Sequence, residues 1–201
     1  MIYGQNPSKE SRPVQTDADG RVLVSLQNSA GADNIVKVGA IATPSASFAV
    51  PNSAATYAIG DLIANSATAG SVTPLSFANV ARVAAGAASI VKARLSKTGT
   101  GIGGAAFELD LFSASPTVAN GDDGAYLPNQ AASFLGTFQF GTTNMRVFSD
   151  GVSCNGVTAT GYPITLDLAS GTTVYGLLRA AGNYVRTAGE TFTFTLEVEQ
   201  E

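Results

Sequence analysis

The chain has 201 residues, 13% of them charged, and a formal net charge of −4; globular domains usually carry about twice that charged share. It contains no histidine and one cysteine, Cys154. That excludes a Ser-His-Asp triad, an imidazole base, a His-ligated metal and an internal disulfide. An acidic balance with scattered Lys and Arg gives no basic face for phosphates, so no nucleic-acid partner is expected. No stretch approaches the roughly 18 apolar residues of a membrane helix. No export signal is read in the polar first residues, so the chain is expected to be made and used without export, and to need no disulfide. With 45% apolar residues and a small net charge, a folded core is expected.

Residues 1–12, MIYGQNPSKESR, show no period and read as an extended arm. After the turn at Asp17–Gly20, Val22, Val24 and Leu26 alternate with Leu23 and Ser25, which predicts a short strand. Residues 1–33 are therefore read as an N-terminal arm with a short strand, and 34–201 as a single β-sandwich domain. NIVKVGAIAT at 34–43 predicts the next strand. Residues 48–50 and 57–64 are strand candidates, which Pro44, Pro51 and Pro74 make edge strands or ordered loops. FANVARVAAGAA at 77–88 spaces Phe77, Val80, Ala81 and Ala84 like a helix. Its β-branched residues and Gly86 turn the reading to strand.

SIVKARLSK at 89–97 puts Val91, Ala93 and Leu95 on one face and Lys92, Arg94 and Ser96 on the other. AAFELDLF at 105–112 puts Phe107, Leu109 and Leu111 opposite Glu108 and Asp110. The glycine-rich stretch 98–104 reads as the turn of a hairpin between them. One antiparallel register then faces Arg94 with Glu108 and Lys92 with Asp110. Residues 115–133 read as a long surface loop. Short strands follow at 134–140, 145–150, 162–168 and 172–180. TFTFTLEVE at 191–199 buries Phe192, Phe194, Leu196 and Val198 by its period of two. Its Glu197, Glu199 and Glu201 face reads as a solvated edge that discourages aggregation. Such a series of short strands, without a βαβ pattern, predicts an all-β fold. The arrangement expected is an antiparallel two-sheet sandwich, jelly-roll-like, with an extended N-terminal arm.

The motifs that suggest chemistry have plainer explanations. GTGIGG at 99–104 matches G-x-G-x-x-G, but a strand pattern follows where a dinucleotide site needs a helix. Asp17, Asp19 and Gly20 resemble the start of a calcium loop, whose last ligand position holds Asn28 instead of Glu. NGDDG at 120–124 reads as a solvated turn rather than a cation site. Glu108 and Asp110 have a spacing open to glycoside hydrolysis. The absence of Trp and the facing Arg94 and Lys92 favour structural acids. Cys154 reads as a small residue near a turn, not a nucleophile. No catalytic, cofactor-binding or metal-binding residue is assigned, and no cofactor is expected.

Four stretches carry a resemblance. They are YAIGDLIANSATAGSVTPLSFANVARV (57–83), IVKARLSKTGTGIGGAAFELDLFSASPTVANGDDGAYL (90–127), ITLDLASGTTVYGLLRA (164–180) and ETFTFTLEVEQ (190–200). Over residues 43–201 the chain resembles a family of tailed-bacteriophage virion structural proteins. The resemblance implies a non-enzymatic part of the virion, and favours a capsid decoration (cement) protein. Proteins of that functional group are often small β-sandwiches that sit as trimers on capsid symmetry axes. The implied partners are the major capsid protein and further copies of the chain, with a homotrimer favoured. The implied location is the virion's capsid surface, after synthesis in the host cytoplasm. The resemblance supplies no catalytic residue. The alternatives are a head fibre, tail or baseplate component, or a glycan-binding host-adhesion module that uses the 115–133 loop and Tyr126.

Overall fold

The structure is a computed structural model and describes residues 41–53 and 55–200, with the backbone of Ala40 and of two short strands before it. The rest of the expected arm lies outside the described residues, as do Asp17, Asp19, Asn28 and Glu201. The chain divides into two units, Met1–Val38 and Gly39–Glu201. In the first, β1 (Ser25–Gln27) pairs antiparallel with β2 (Asp33–Ile35).

The second unit is all-β. Its strands are β3 (Ala40–Ala42), β4 (Ser45–Ala49), β5 (Thr56–Tyr57), β6 (Leu62–Ile63), β7 (Leu75–Phe77), β8 (Ala87–Lys97) and β9 (Phe107–Phe112). They continue with β10 (Phe134–Phe140), β11 (Met145–Phe148), β12 (Gly151–Thr158), β13 (Ile164–Asp167), β14 (Val174–Ala180), β15 (Tyr184–Val185) and β16 (Thr191–Gln200). Twelve of them form one large antiparallel sheet along the path β3–β16–β8–β12–β10–β9–β14–β6. Off that path β4 joins β16, β13 joins β8, β11 joins β12 and β7 joins β14. β5 and β15 make a small sheet of their own.

Side-chain alternation explains the strands best where it is cleanest. In β16, Phe192, Phe194, Leu196 and Val198 are all fully buried, and the Thr and Glu residues between them are not. Each such burial contributes about 1.5–3 kcal/mol. In β9, Phe107, Leu109 and Leu111 are buried likewise. Rings from separate strands meet in the core. Phe107 lies edge-on to Phe192 at 5.5 Å, and Phe140 to Phe194 at 5.6 Å. A second, smaller core gathers Leu62, Ala64, Phe112 and Leu177, with Val118 and Tyr126 packed on it. The loop expected over 115–133 thus folds back onto the sheet. It is braced internally by bonds from Ala119 N to Leu127 O (3.1 Å) and from Asn129 N to Thr117 O (3.0 Å).

Several expectations are corrected. β8 and β9 do not form a hairpin: β8 pairs with β12, β13 and β16, and β9 with β10 and β14. Arg94 lies opposite Asn155 and Thr195, and Lys92 opposite Glu197. No strand runs over 77–88, because β7 ends at Phe77 and β8 begins at Ala87. Between them Asn79 (φ 59°) and Ala85 (φ 57°) are left-handed, which interrupts helix and strand alike. Val80 and Ala81 are buried there on turns, and both N–H groups donate to Thr172 O.

β8 also bulges. Its register with β16 shifts between Lys92 and Ile90, so Val91 is the extra residue and Ile90 takes the buried place. β16 is no edge, since β3 and β4 line its other side. The strand β12 had no clear sequence signal, with Gly151, Cys154, Asn155 and Gly156 in it. It links two parts of the sheet: residues 152–156 pair with β8, and 157–158 with β10. A Cβ at Gly156 would come within 2.8 Å of the Phe140 ring, so the strand needs glycine where it passes that ring.

Candidate functional site

The inward row of β8 is Ala93, Leu95 and Lys97. A lysine at the end of that row brings an ammonium into the core, and it must be paired there. Lys97 Nζ donates to Glu190 Oε1 (2.8 Å), to the carbonyls of Gly99 (2.6 Å) and Gly101 (2.7 Å), and to the Tyr184 hydroxyl (2.8 Å). The Tyr184 hydroxyl donates to the Glu190 carboxylate at 2.7 Å. The Lys97 and Glu190 side chains are both 0% exposed. The glycine-rich loop therefore turns carbonyl oxygens inward to a cation. A phosphate cradle would turn N–H groups to an anion, and β9 follows in place of a helix.

A second buried ion pair sits at NGDDG. Arg186 Nη1 pairs with Asp122 Oδ2, while its Nε and Nη2 donate to Ser53 O and Ser53 Oγ, each at 3.0 Å. Asp122 Oδ1 accepts from the Tyr57 hydroxyl and from Ala64 N, each at 2.8 Å. The solvated-turn reading holds for Asp123, which is exposed at φ 66°, and is corrected for Asp122, which is buried. Burial, then the Asp122 charge, holds the Tyr57 hydroxyl far above its ordinary pKa. Burial and the Glu190 bond do the same to Tyr184. The Tyr57 and Tyr184 rings stack at 6.5 Å, joining the two ion pairs into one network.

The carboxylates Glu108 and Asp110 are each taken up by other partners. Glu108 pairs with Arg179 and accepts from Gln139 Nε2 at 3.0 Å. Asp110 accepts from Thr137 Oγ1 at 2.6 Å and from the Tyr126 hydroxyl at 2.8 Å. Burial, then the Asp110 charge, raises the Tyr126 pKa, and Arg179 lies over its ring at 5.5 Å. The Tyr126 hydroxyl is thus committed inside the protein. Cys154 lies in the core side of β12, and burial pushes its thiol up, away from the nucleophilic thiolate. Among the described residues no three His, Cys, Asp or Glu side chains come together as a metal site.

The registers also build a surface that the sequence reading missed. Ser47, Thr193, Ser96, Ser153 and Arg146 align in one row across β4, β16, β8, β12 and β11. Ser45, Thr195, Arg94 and Asn155 form the row beside it. The result is a broad face of small hydroxyl side chains, with Arg94 and Arg146 as its exposed cations. Its only sequence signal is polar alternation in separate strands, which does not say that they are neighbours. A cavity of about 220 Å³ opens on it, lined by Ser96, Thr98, Phe148, Asp150, Ser153 and Thr193 among others. No family model, curated protein or solved structure matches the chain.

Proposed function

We propose that the chain is a non-enzymatic structural protein of a tailed-phage virion that decorates and stabilises the capsid shell. The observation that carries this reading is the hydroxyl face built from four strands, taken with the four stretches that resemble virion structural proteins. Short Ser and Thr side chains lose little rotamer freedom on contact, and a paired sheet presents them without rearrangement. The buried network beneath fixes the loops around that sheet. Such a surface suits a tight fit to a regular shell. The partners under this reading are the major capsid protein and further copies of the chain, a trimer being favoured. Its place is the capsid surface, with no nucleic-acid or membrane partner and no enzymatic activity.

The finer architecture belongs to the same proposal. The large sheet closes over itself as a two-layer, jelly-roll-like sandwich, with β16 and β8 facing β9 and β10. The ring contacts Phe107–Phe192 and Phe140–Phe194 support it. Residues 1–33 serve as an arm that reaches a neighbour.

The test is absolute quantification of the chain against the major capsid protein in purified particles, by mass spectrometry. A ratio between one to one and one to a few supports decoration. A handful of copies per particle moves the chain to a head fibre, tail or baseplate. Absence from particles overturns the reading. Deleting residues 1–12 should weaken attachment to particles and leave the fold intact. For the glycan-binding alternative, the commitment of the Tyr126 hydroxyl to Asp110 counts against Tyr126 as the contact residue.

A further inference from the structure

Among the described residues β11 (Met145–Phe148) pairs with β12 alone, so one side of its backbone is an edge there. Proteins blunt such an edge with charged side chains, proline or a very short strand. β11 is short and carries one charge, Arg146, but no lysine, acidic residue or proline: it reads Met145, Arg146, Val147, Phe148. Val147 is 52% exposed and Phe148 55%. Arg146 is exposed too, and among the described residues it has no acidic partner; its Nη1 reaches the carbonyl of Met145 at 3.3 Å.

We propose that β11 is a self-pairing edge, to which a second copy of the chain adds its own β11 antiparallel across a two-fold axis at Val147. The hydrogen-bond pattern selects that axis. The turn Ser149–Asp150 joins β11 to β12, with Phe148 opposite Gly151. In a two-residue hairpin the flanking residues bond to each other, so Phe148 and Arg146 turn their N–H and C=O toward β12. Met145 and Val147 then turn theirs outward. A two-fold axis at Val147 lets the two Val147 residues exchange both bonds.

The side chains fit the same axis. Across it Arg146 faces Phe148 of the second copy, and this happens twice, placing a cation against an exposed ring each time. Centring the pair on Arg146 would instead set like charges opposite each other. Val147 is registered with buried Val152, which is registered with Lys97 and through it with Phe192. A second Val147 extends that row across the axis. An isologous contact of this kind closes with two copies and leaves no free edge for a third. The strand is short, and its interface falls below the roughly 1,200 Å² of a stable dimer. The pairing is therefore weak between free chains and strong where copies are held side by side. It does not depend on the virion reading.

The experiment is disulfide trapping in the full chain. Cys154 is buried, so a Val147→Cys variant adds the only exposed thiol among the described residues. Paired residues there stand about 5.5 Å apart at Cα, within disulfide reach. Val185→Cys, at a 63% exposed position on β15, is the control. Val147→Cys should cross-link at least about tenfold faster than the control at equal concentration. Adding Phe148→Lys, which opposes Arg146 with a second cation, should bring it down to the control rate. Equal rates for the two cysteines overturn the proposal, and that comparison needs no folded Phe148→Lys. A fast rate that Phe148→Lys leaves unchanged overturns the register.

Discussion

Tyr57 and Tyr184 stack nearly parallel, 6.5 Å apart, and each hydroxyl donates to the carboxylate of a different buried ion pair. Tyr57 serves Asp122 with Arg186, and Tyr184 serves Glu190 with Lys97. This one relationship ties four chain segments together: the approach to β5, the glycine-rich loop, the NGDDG turn and the loop before β16. The charges are satisfied, so they hold the loops in one arrangement. Left unpaired, each would cost several kcal/mol.

Lys97→Met should therefore destabilise the protein by about 3–5 kcal/mol, because it strands Glu190 in the core. Adding Glu190→Leu should recover part of that loss, since no charge is then stranded, while the Tyr184 hydroxyl and the Gly99 and Gly101 carbonyls still lack the partners they had. Urea unfolding of both variants checks this. A double variant as unstable as the single one would show that the pair itself is irreplaceable.

High pH should unfold the chain earlier than its charge suggests. Tyr57, Tyr126 and Tyr184 all have pKa values raised by burial and by neighbouring carboxylates. A raised acid keeps its proton in the folded state while the unfolded chain loses it near pH 10. Stability is thus full below about pH 10 and falls above it, by up to about 1.4 kcal/mol per pH unit for each of the three. Tyrosinate absorbance followed with circular dichroism tests the sign. The three should ionise only as the fold is lost.

Tyr126→Phe should cost about 1–2 kcal/mol, because Asp110 loses a donor at a half-buried site. The loss should appear locally, as faster amide exchange at Ala119 and Asn129, whose N–H groups brace the loop. Unchanged exchange there would mean that the loop is held without Tyr126.

Gly104→Ala should destabilise by at least about 2 kcal/mol. Gly104 has φ +67°, and a Cβ there would collide with the carbonyl oxygen of Asn183. Gly103→Ala, with nothing near its added methyl, should be close to neutral. Thermal melts of the two variants separate backbone need from mere loop composition.

The readings that were right concern single strands. The alternation in β16 is plain because that strand buries one face, and a period of two is local information; in β9 the inward row Phe107, Leu109 and Leu111 is legible the same way, although Asp110 and Phe112 are buried on its other face as well. The readings that were wrong concern partners. Arg94 and Lys92 opposite Glu108 and Asp110 made a consistent register, yet the sheet gives those acids Arg179, Gln139, Thr137 and Tyr126. Asp122 looked like a turn residue, and nothing nearby in sequence announced Arg186.

By itself the sequence determined an all-β chain without histidine chemistry and the identity of its best core strands. Only the tertiary structure decided which strands are neighbours, that Lys97 and Asp122 are buried, and that Ser and Thr from four strands form one surface. The physical reason is range. Side-chain alternation repeats every two residues and is written in each segment. Strand pairing and charge burial join residues as far apart as Lys97 and Glu190, and many local patterns fit more than one such pairing.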